Sequence, residues 1–126
     1  MPRRVLVAED EPNIVESLSF LLERAGFEVS VATDGQSALS DAFALRPDVL
    51  VLDVMLPELD GYEVLRRLRA DERGAALPVL MLTAKGQRED RETAMACGAD
   101  RFMTKPFANA EITAAVLELA GGERPS

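Results

Sequence analysis

The sequence predicts a three-layer α/β domain: a doubly wound, five-stranded parallel sheet in the order 2-1-3-4-5 with five helices over its two faces. Three observations carry this. Short apolar runs of strand-like composition alternate with segments of helical periodicity. The connections between them are only a few residues long. The run VLVL at 49–52 lacks any polar alternation before it stops on Asp53, as a strand covered on both faces requires. A chain of 126 residues is long enough for one core and too short for two, so a single domain spanning 1–126 is expected, with its core at about 4–119.

The elements follow in order. RVLVA (4–8) is the first strand, and Ile14, Leu18, Leu21, Leu22 and Ala25 then mark one face of a helix that Gly26 closes in a left-handed conformation. FEVSVA (27–32) is the second strand, and Ala38, Leu39, Ala42 and Phe43 form a helix after the turn TDG. DVLVL (48–52) leads into the loop before Asp60-Gly61, after which Tyr62, Leu65 and Leu68 repeat the helical spacing. LPVLML (77–82) is the fourth strand, followed by the least apolar helix, from about Gln87 to Cys97, ending at Gly98. DRFMT (100–104) is a weaker fifth strand. The last helix carries Ile112, Ala115, Val116 and Leu119 after an expected N-cap at Asn109. The final GGERPS (121–126) has the composition of a frayed tail.

Composition removes several classes of function. The chain has no histidine, which excludes Ser-His-Asp chemistry, histidine metal sites and phosphohistidine transfer from its own side chains. The lone Cys97 excludes an internal disulfide and reads as a small buried core residue. A formal charge of −8 argues against direct binding to nucleic acid, because phosphates are repelled over most of the surface. No apolar run approaches the roughly 18 residues of a membrane span, and the start MPRRVLVAEDE has no signal-peptide core, so a soluble, cytoplasmic protein is expected.

Ligands of doubly wound sheets bind beyond the C-terminal strand ends, where the strand order reverses. The strand ends here are AEDEP, LDVMLP, LTAKG and MTKPF, which place the chemically capable side chains at one edge. With strands one and three adjacent, Glu9, Asp10 and Asp53 converge. Three carboxylates at that distance repel, and either raised pKa values or a cation must relieve them. A hard divalent ion with oxygen ligands fits, and Mg²⁺ is the usual one where a phosphoryl group completes its coordination.

These residues resemble the receiver domain of bacterial two-component response regulators over about Arg4 to Leu119. Five features agree in order and spacing: Glu9-Asp10 followed by Glu11-Pro12, Asp53 after the third strand, MLPELDGYE (55–63), Thr83-Ala84, and Lys105-Pro106-Phe107. The resemblance implies a flavodoxin-like fold and a chemotaxis-regulator-like phosphoacceptor. It makes Asp53 the acceptor of a phosphoryl group from a phosphohistidine on a sensor histidine kinase or histidine phosphotransferase. It makes Asp10 the principal Mg²⁺ carboxylate, with Glu9 acting mostly through water and with Asp53 and the Met55 carbonyl completing the metal set. Lys105, the Thr83 hydroxyl and the Ala84 N–H are then contacts of the phosphoryl oxygens. Pro106 is expected to follow a cis peptide that aims the lysine inward. Met55 and Lys85 occupy positions that modulate autodephosphorylation, and an apolar Met55 predicts slow loss of the phosphoryl group.

The family's switch draws Thr83 toward the phosphoryl group and lets an aromatic ring, here Phe102, turn inward, remodelling the face of helix four, strand five and helix five. Phe102 lacks the hydroxyl of the tyrosine common at this position, and Glu9 stands where aspartate is more frequent. The last helix contains no Lys or Arg, so the ion-pair network that dimerises one subfamily through this face is missing and a monomer is expected. Arg66, Arg67, Arg69 and Arg73 read as a solvated face of helix three. Helix one is the expected surface for the histidine-bearing partner; the downstream protein target is not specified. The chain reads equally as a stand-alone relay protein of a phosphorelay or as the receiver of a longer regulator or hybrid kinase, with no output domain after residue 120. A Mg²⁺-dependent phosphatase with an aspartyl nucleophile is the alternative, but it wants a second aspartate two residues after the first, where Met55 stands. A flavin or nucleotide module wants a phosphate-cradling loop where AEDEPN is acidic.

Overall fold

A computed structural model describes residues 3–84 and 88–121. The elements alternate without exception: β1 (Arg3–Ala8), α1 (Pro12–Arg24), β2 (Phe27–Ala32), α2 (Gly35–Leu45), β3 (Val49–Asp53), α3 (Gly61–Ala70), β4 (Val79–Thr83), α4 (Arg88–Cys97), β5 (Arg101–Thr104) and α5 (Asn109–Leu119). All strand pairs are parallel, and the sheet order is β2-β1-β3-β4-β5, as expected. Gln87, the expected start of α4, and residues 122–126 of the expected tail lie outside the described residues.

Successive strand residues point to opposite sides of a sheet, and this splits the apolar core in two. Val5, Val7, Val49, Val51, Leu80 and Leu82 face α1 and α5, where Leu18, Leu22, Ile112 and Val116 cover them. Leu6, Leu50, Leu52, Val79 and Met81 face the other way, beneath α2, α3 and α4, and meet Ala38, Ala42, Leu65, Leu68 and Ala94. β3 and β4 are buried at all five positions each. Each fully buried aliphatic side chain contributes roughly 1.5–3 kcal/mol through area removed from water, and β3 and β4 therefore anchor the core.

The helix ends follow local chemistry. Asp34 accepts the Ser37 N–H at 2.7 Å and caps α2, while Asp60 accepts the Glu63 N–H at 3.0 Å and caps α3. Gly26, at φ +101°, follows the α1 C-cap in the left-handed region. Asn109 is not the N-cap of α5: it is the first helical residue, and Ala108 caps the helix without a side-chain hydrogen bond. Cys97 is half-buried at the end of α4. Tyr62, the chain's single tyrosine, links α3 to α4, with its hydroxyl 3.4 Å from the Asp90 carbonyl.

The arginines around α3 are not one solvated face. Arg66 and Arg67 do pair with Glu63 in solvent, and Arg73 pairs with Asp71 while lying 4.0 Å from the Phe43 ring centroid. Arg69 turns inward. Its guanidinium donates to the carbonyls of Gly98, Gly74 and Leu77 and to Asp100 Oδ2, and the Asp100 carboxylate also accepts the Val79 N–H at 2.8 Å. These five bonds match the five N–H donors of an arginine. The side chain ties α3 to the turns that precede β4 and β5.

Candidate functional site

Register brings the functional side chains together. β1 and β3 are neighbours with Ala8 opposite Leu52, so the next residues, Glu9 and Asp53, leave the sheet side by side. Thr83 lies opposite Thr104 at the β4–β5 edge, which sets Lys105 just beyond the sheet; its N–H donates to the Thr83 carbonyl at 2.8 Å. The Lys105–Pro106 peptide is cis. Asp53 and Thr83 are the last residues of their strands rather than the first of the following loops, so strand pairing itself holds their backbones.

Glu9 is completely buried. Its Oε2 accepts the N–H groups of Asp10 and Glu11, both at 3.1 Å, and its Oε1 lies 2.8 Å from Lys105 Nζ. The same ammonium is 3.3 Å from Asp53 Oδ1 and 3.8 Å from Glu11 Oε1. Glu9 Oε1 and Asp53 Oδ1 are buried and meet this cation as ion pairs, without a well-directed hydrogen bond. Asp10 is exposed, and oxygens of Glu9, Asp10 and Asp53 lie within 4.8 Å of one another. One lysine thus faces three clustered acids.

The electrostatics follow from that imbalance. Burial raises the Asp53 pKa from 3.8 to about 6, the negative charge of Glu9 adds to the rise, and Lys105 offsets part of it. For Lys105, burial disfavours the charged form, but attraction by Glu9 and Asp53 outweighs it and holds the ammonium above the ordinary lysine value. A divalent cation suits this donor set: hard carboxylate oxygens converge, two of them buried and short of partners, in excess of the one nearby positive charge. Glu9, Asp10 and Asp53 are the residues that could hold it.

The wall of the cleft is the segment after β3. Met55 is 65% exposed beside Asp53, and Leu56, Pro57 and Asp60 continue the margin. Gly61 closes the loop with its N–H on the Val54 carbonyl at 2.9 Å, and a Cβ there would lie 2.3 Å from the Asp53 carbonyl oxygen. Only glycine allows α3 to start this close to the residue that carries the carboxylate. Ala84 lies exposed at the opposite margin, and Thr83 is buried. Phe102, 8% exposed, points into the α2–α4 side of the core, with the Arg91 guanidinium 5.4 Å from its ring centroid. Lys85 lies outside the described residues. Glu11 and Asp60 also reach the cleft; a role for them was not read from the sequence, where only their acidity and nearness to motif residues point to them.

The model of the response regulator receiver domain matches residues 5–117. The chain belongs to that family. Receiver domains are the phosphoacceptor signalling modules of two-component response regulators and partner with histidine kinases. This receiver domain is 47% identical over 116 residues to the alkaline phosphatase synthesis transcriptional regulatory protein PhoP of Bacillus subtilis, covering 92% of the chain but 48% of the relative. It spans about half the length of the relatives of this kind that it matches. Among solved structures, a putative response regulator from Chloroflexus aurantiacus superposes with a TM-score of 0.92 at 34% identity, covering 96% of this chain and 99% of that one. The receiver domain of the sensor histidine kinase PA1611 from Pseudomonas aeruginosa, which has a magnesium ion in its active-site cleft, gives 0.89 at 32% identity with the same coverage. No helix among the described residues is long and apolar enough to cross a membrane.

Proposed function

We propose that this receiver domain accepts a phosphoryl group on Asp53 from a phosphohistidine of a sensor histidine kinase or histidine phosphotransferase. The observation that carries the assignment is the placement of Asp53: a buried carboxylate at the end of the central strand, 3.3 Å from the only cation of the cleft among the described residues and beside two further acids. A carboxylate oxygen of Asp53 attacks phosphorus, the phosphorus–nitrogen bond of the donor breaks, and its electron pair returns to the imidazole. Bound at Glu9, Asp10, Asp53 and the Met55 carbonyl, Mg²⁺ would offset the negative charge of the incoming group. Lys105 is placed to follow that charge, since its ammonium already bridges Glu9 and Asp53 and a flexible stem lets it shift toward a phosphoryl oxygen. The Thr83 hydroxyl and Ala84 N–H serve the remaining oxygens.

In this reading the chain promotes its own phosphorylation from small donors and its own dephosphorylation, and the exposed apolar Met55 leaves an attacking water unoriented, so the acyl phosphate is long-lived. Lys85 is assigned a share in that modulation. Phe102 transmits the change by packing alone, and Thr83 and Pro106 share in the switch that remodels the α4–β5–α5 face. A cytoplasmic, monomeric protein that passes the signal to a further protein partner fits the charge and the cation-free α5. The phosphatase alternative is not favoured, because Met55 replaces the second aspartate that its chemistry needs.

The test is intact mass after incubation with a small-molecule phosphodonor and Mg²⁺. One phosphoryl adduct is expected on the wild type, and none on Asp53→Asn or in the presence of EDTA. An adduct that persists in Asp53→Asn would move the acceptor elsewhere, and a folded, Mg²⁺-binding wild type that takes no phosphoryl group from either a small donor or a phosphohistidine protein would end the reading.

A further inference from the structure

α2 contributes no side chain to the acidic cleft, yet its first residue touches the loop that forms the cleft wall. Gly35 is buried directly behind the Asp34 N-cap. Its N–H donates to the Pro57 carbonyl at 3.0 Å, and the same carbonyl accepts the Leu59 N–H at 2.8 Å. Between them Glu58 sits at φ +72°, a conformation rarely adopted by residues with side chains. A Cβ built on Gly35 would lie 1.7 Å from the Leu59 carbonyl oxygen, 2.6 Å from its carbonyl carbon and 2.7 Å from its Cβ. The two nearest obstacles are backbone, so rotation of a side chain does not relieve them.

We propose that Gly35 is a positioning residue for the phosphoacceptor cleft: its missing side chain lets the N-terminus of α2 seat on Pro57–Leu59 and thereby sets where the loop from Met55 to Asp60 stands relative to Asp53. The ends of that loop are fixed by β3 and by the bond from Gly61 to Val54, and the bond from Gly35 ties its middle to a second element. Met55, Leu56, Pro57 and Asp60 face the same cleft as Asp10 and Lys105, so a shift at Leu59 is felt at the wall. The role rests on the reading of Asp53 as phosphoacceptor.

Gly35→Ala requires the Leu59 carbonyl oxygen, 1.7 Å from the added Cβ, to retreat by roughly 1.7 Å or more before ordinary contact is restored. Displacements of this size cost about 10- to 100-fold where reacting groups must be held in line. Three readouts apply: amide ¹H–¹⁵N shifts of Val54, Met55 and Leu56 in metal-free protein, the Kd for Mg²⁺ by calorimetry, and the rate of phosphorylation by a small donor at saturating Mg²⁺. The expected result is displaced resonances at 54–56, a Kd raised about threefold or more, and a rate lowered about tenfold or more. Gly26→Ala is the structural control. Gly26 has φ +101° and nothing within 4 Å of an added Cβ, so that variant loses stability through backbone strain while keeping wild-type Kd and rate. A folded Gly35→Ala that matches Gly26→Ala in Kd, rate and amide shifts would show a purely structural glycine and overturn the proposal. Should Gly35→Ala not fold, Asp34→Ala decides: it removes the carboxylate that accepts the Ser37 N–H and so loosens the α2 N-terminus seated on Pro57–Leu59 without adding atoms, and unchanged Kd and rate there overturn the proposal equally, whereas a change of about threefold supports it. A wild type that takes no phosphoryl group would instead refute the acceptor reading, while the Mg²⁺ Kd and the amide shifts still judge Gly35.

Discussion

Arg69 and Lys105 each carry a positive charge into the molecule, with side chains 19% and 12% exposed, but their surroundings are opposite in kind. All five donors of Arg69 have acceptors, three of its four partner residues are bound through backbone carbonyls, and the one acid it meets also accepts a backbone N–H. Lys105 faces more negative charge than it can offset, and two buried carboxylate oxygens beside it lack well-directed hydrogen bonds. Buried polar networks that serve only the fold are satisfied within the chain. The lysine cluster leaves negative charge over, and that surplus could hold a metal ion.

The largest expected effect comes from breaking the closed cluster. Arg69→Ala strands the carbonyls of Gly74, Leu77 and Gly98 and releases Asp100, so a loss of about 2–4 kcal/mol is expected in denaturant unfolding. A loss below about 0.5 kcal/mol would mean that water replaces the guanidinium freely and that the network is not closed.

In the open cluster, removing a charge has the opposite sign. Asp53 binds its proton more tightly folded, at about 6, than at the ordinary 3.8. Its contribution to metal-free stability is therefore fully present below the lower value and is lost as pH rises through about 6. In EDTA at pH 7, Asp53→Asn should be more stable than wild type by about 1–2 kcal/mol, and its stability should not share the wild-type decline between about pH 4 and 6. A destabilised, equally pH-dependent Asp53→Asn would show that Lys105 compensates the acids after all.

The smallest effect marks the baseline. Arg67 and Glu63 form an i, i+4 pair at 3.1 Å with both side chains well exposed, and Arg67→Ala should move Tm by no more than about 2 °C. A larger shift would undo the distinction between inward and solvated arginines on α3.

That distinction was not legible in the sequence. All four arginines around α3 fall in one charge-rich stretch from Arg66 to Arg73, and the partners of Arg69 are carbonyls 5, 8 and 29 residues away, which no side-chain pattern advertises. The strands were legible because their apolar runs state burial directly, and parallel order followed from short connections. The expected cap at Asn109 failed because a residue favoured at N-caps also sits at the first helical position, where Ala108 had already begun the turn. The acids and the lysine were readable as residues at strand ends. The full burial of Glu9 was not, because it depends on the ion pair to Lys105, 96 residues further along the chain, and on two backbone N–H groups that the turn after β1 happens to direct at one oxygen.

The placement of Tyr62 makes the molecule its own optical probe. With no tryptophan and one tyrosine in the chain, emission excited beyond the phenylalanine absorption has a single origin, and that origin stands between α3 and α4 with its phenol against the first turn of α4. Burial and the nearby Asp90 raise its pKa, so the phenol also reports its surroundings through the onset of tyrosinate absorbance at alkaline pH. Any event at the acidic edge that slides α4 along the sheet would change emission and titration together, without a label and without altering a residue of the cleft.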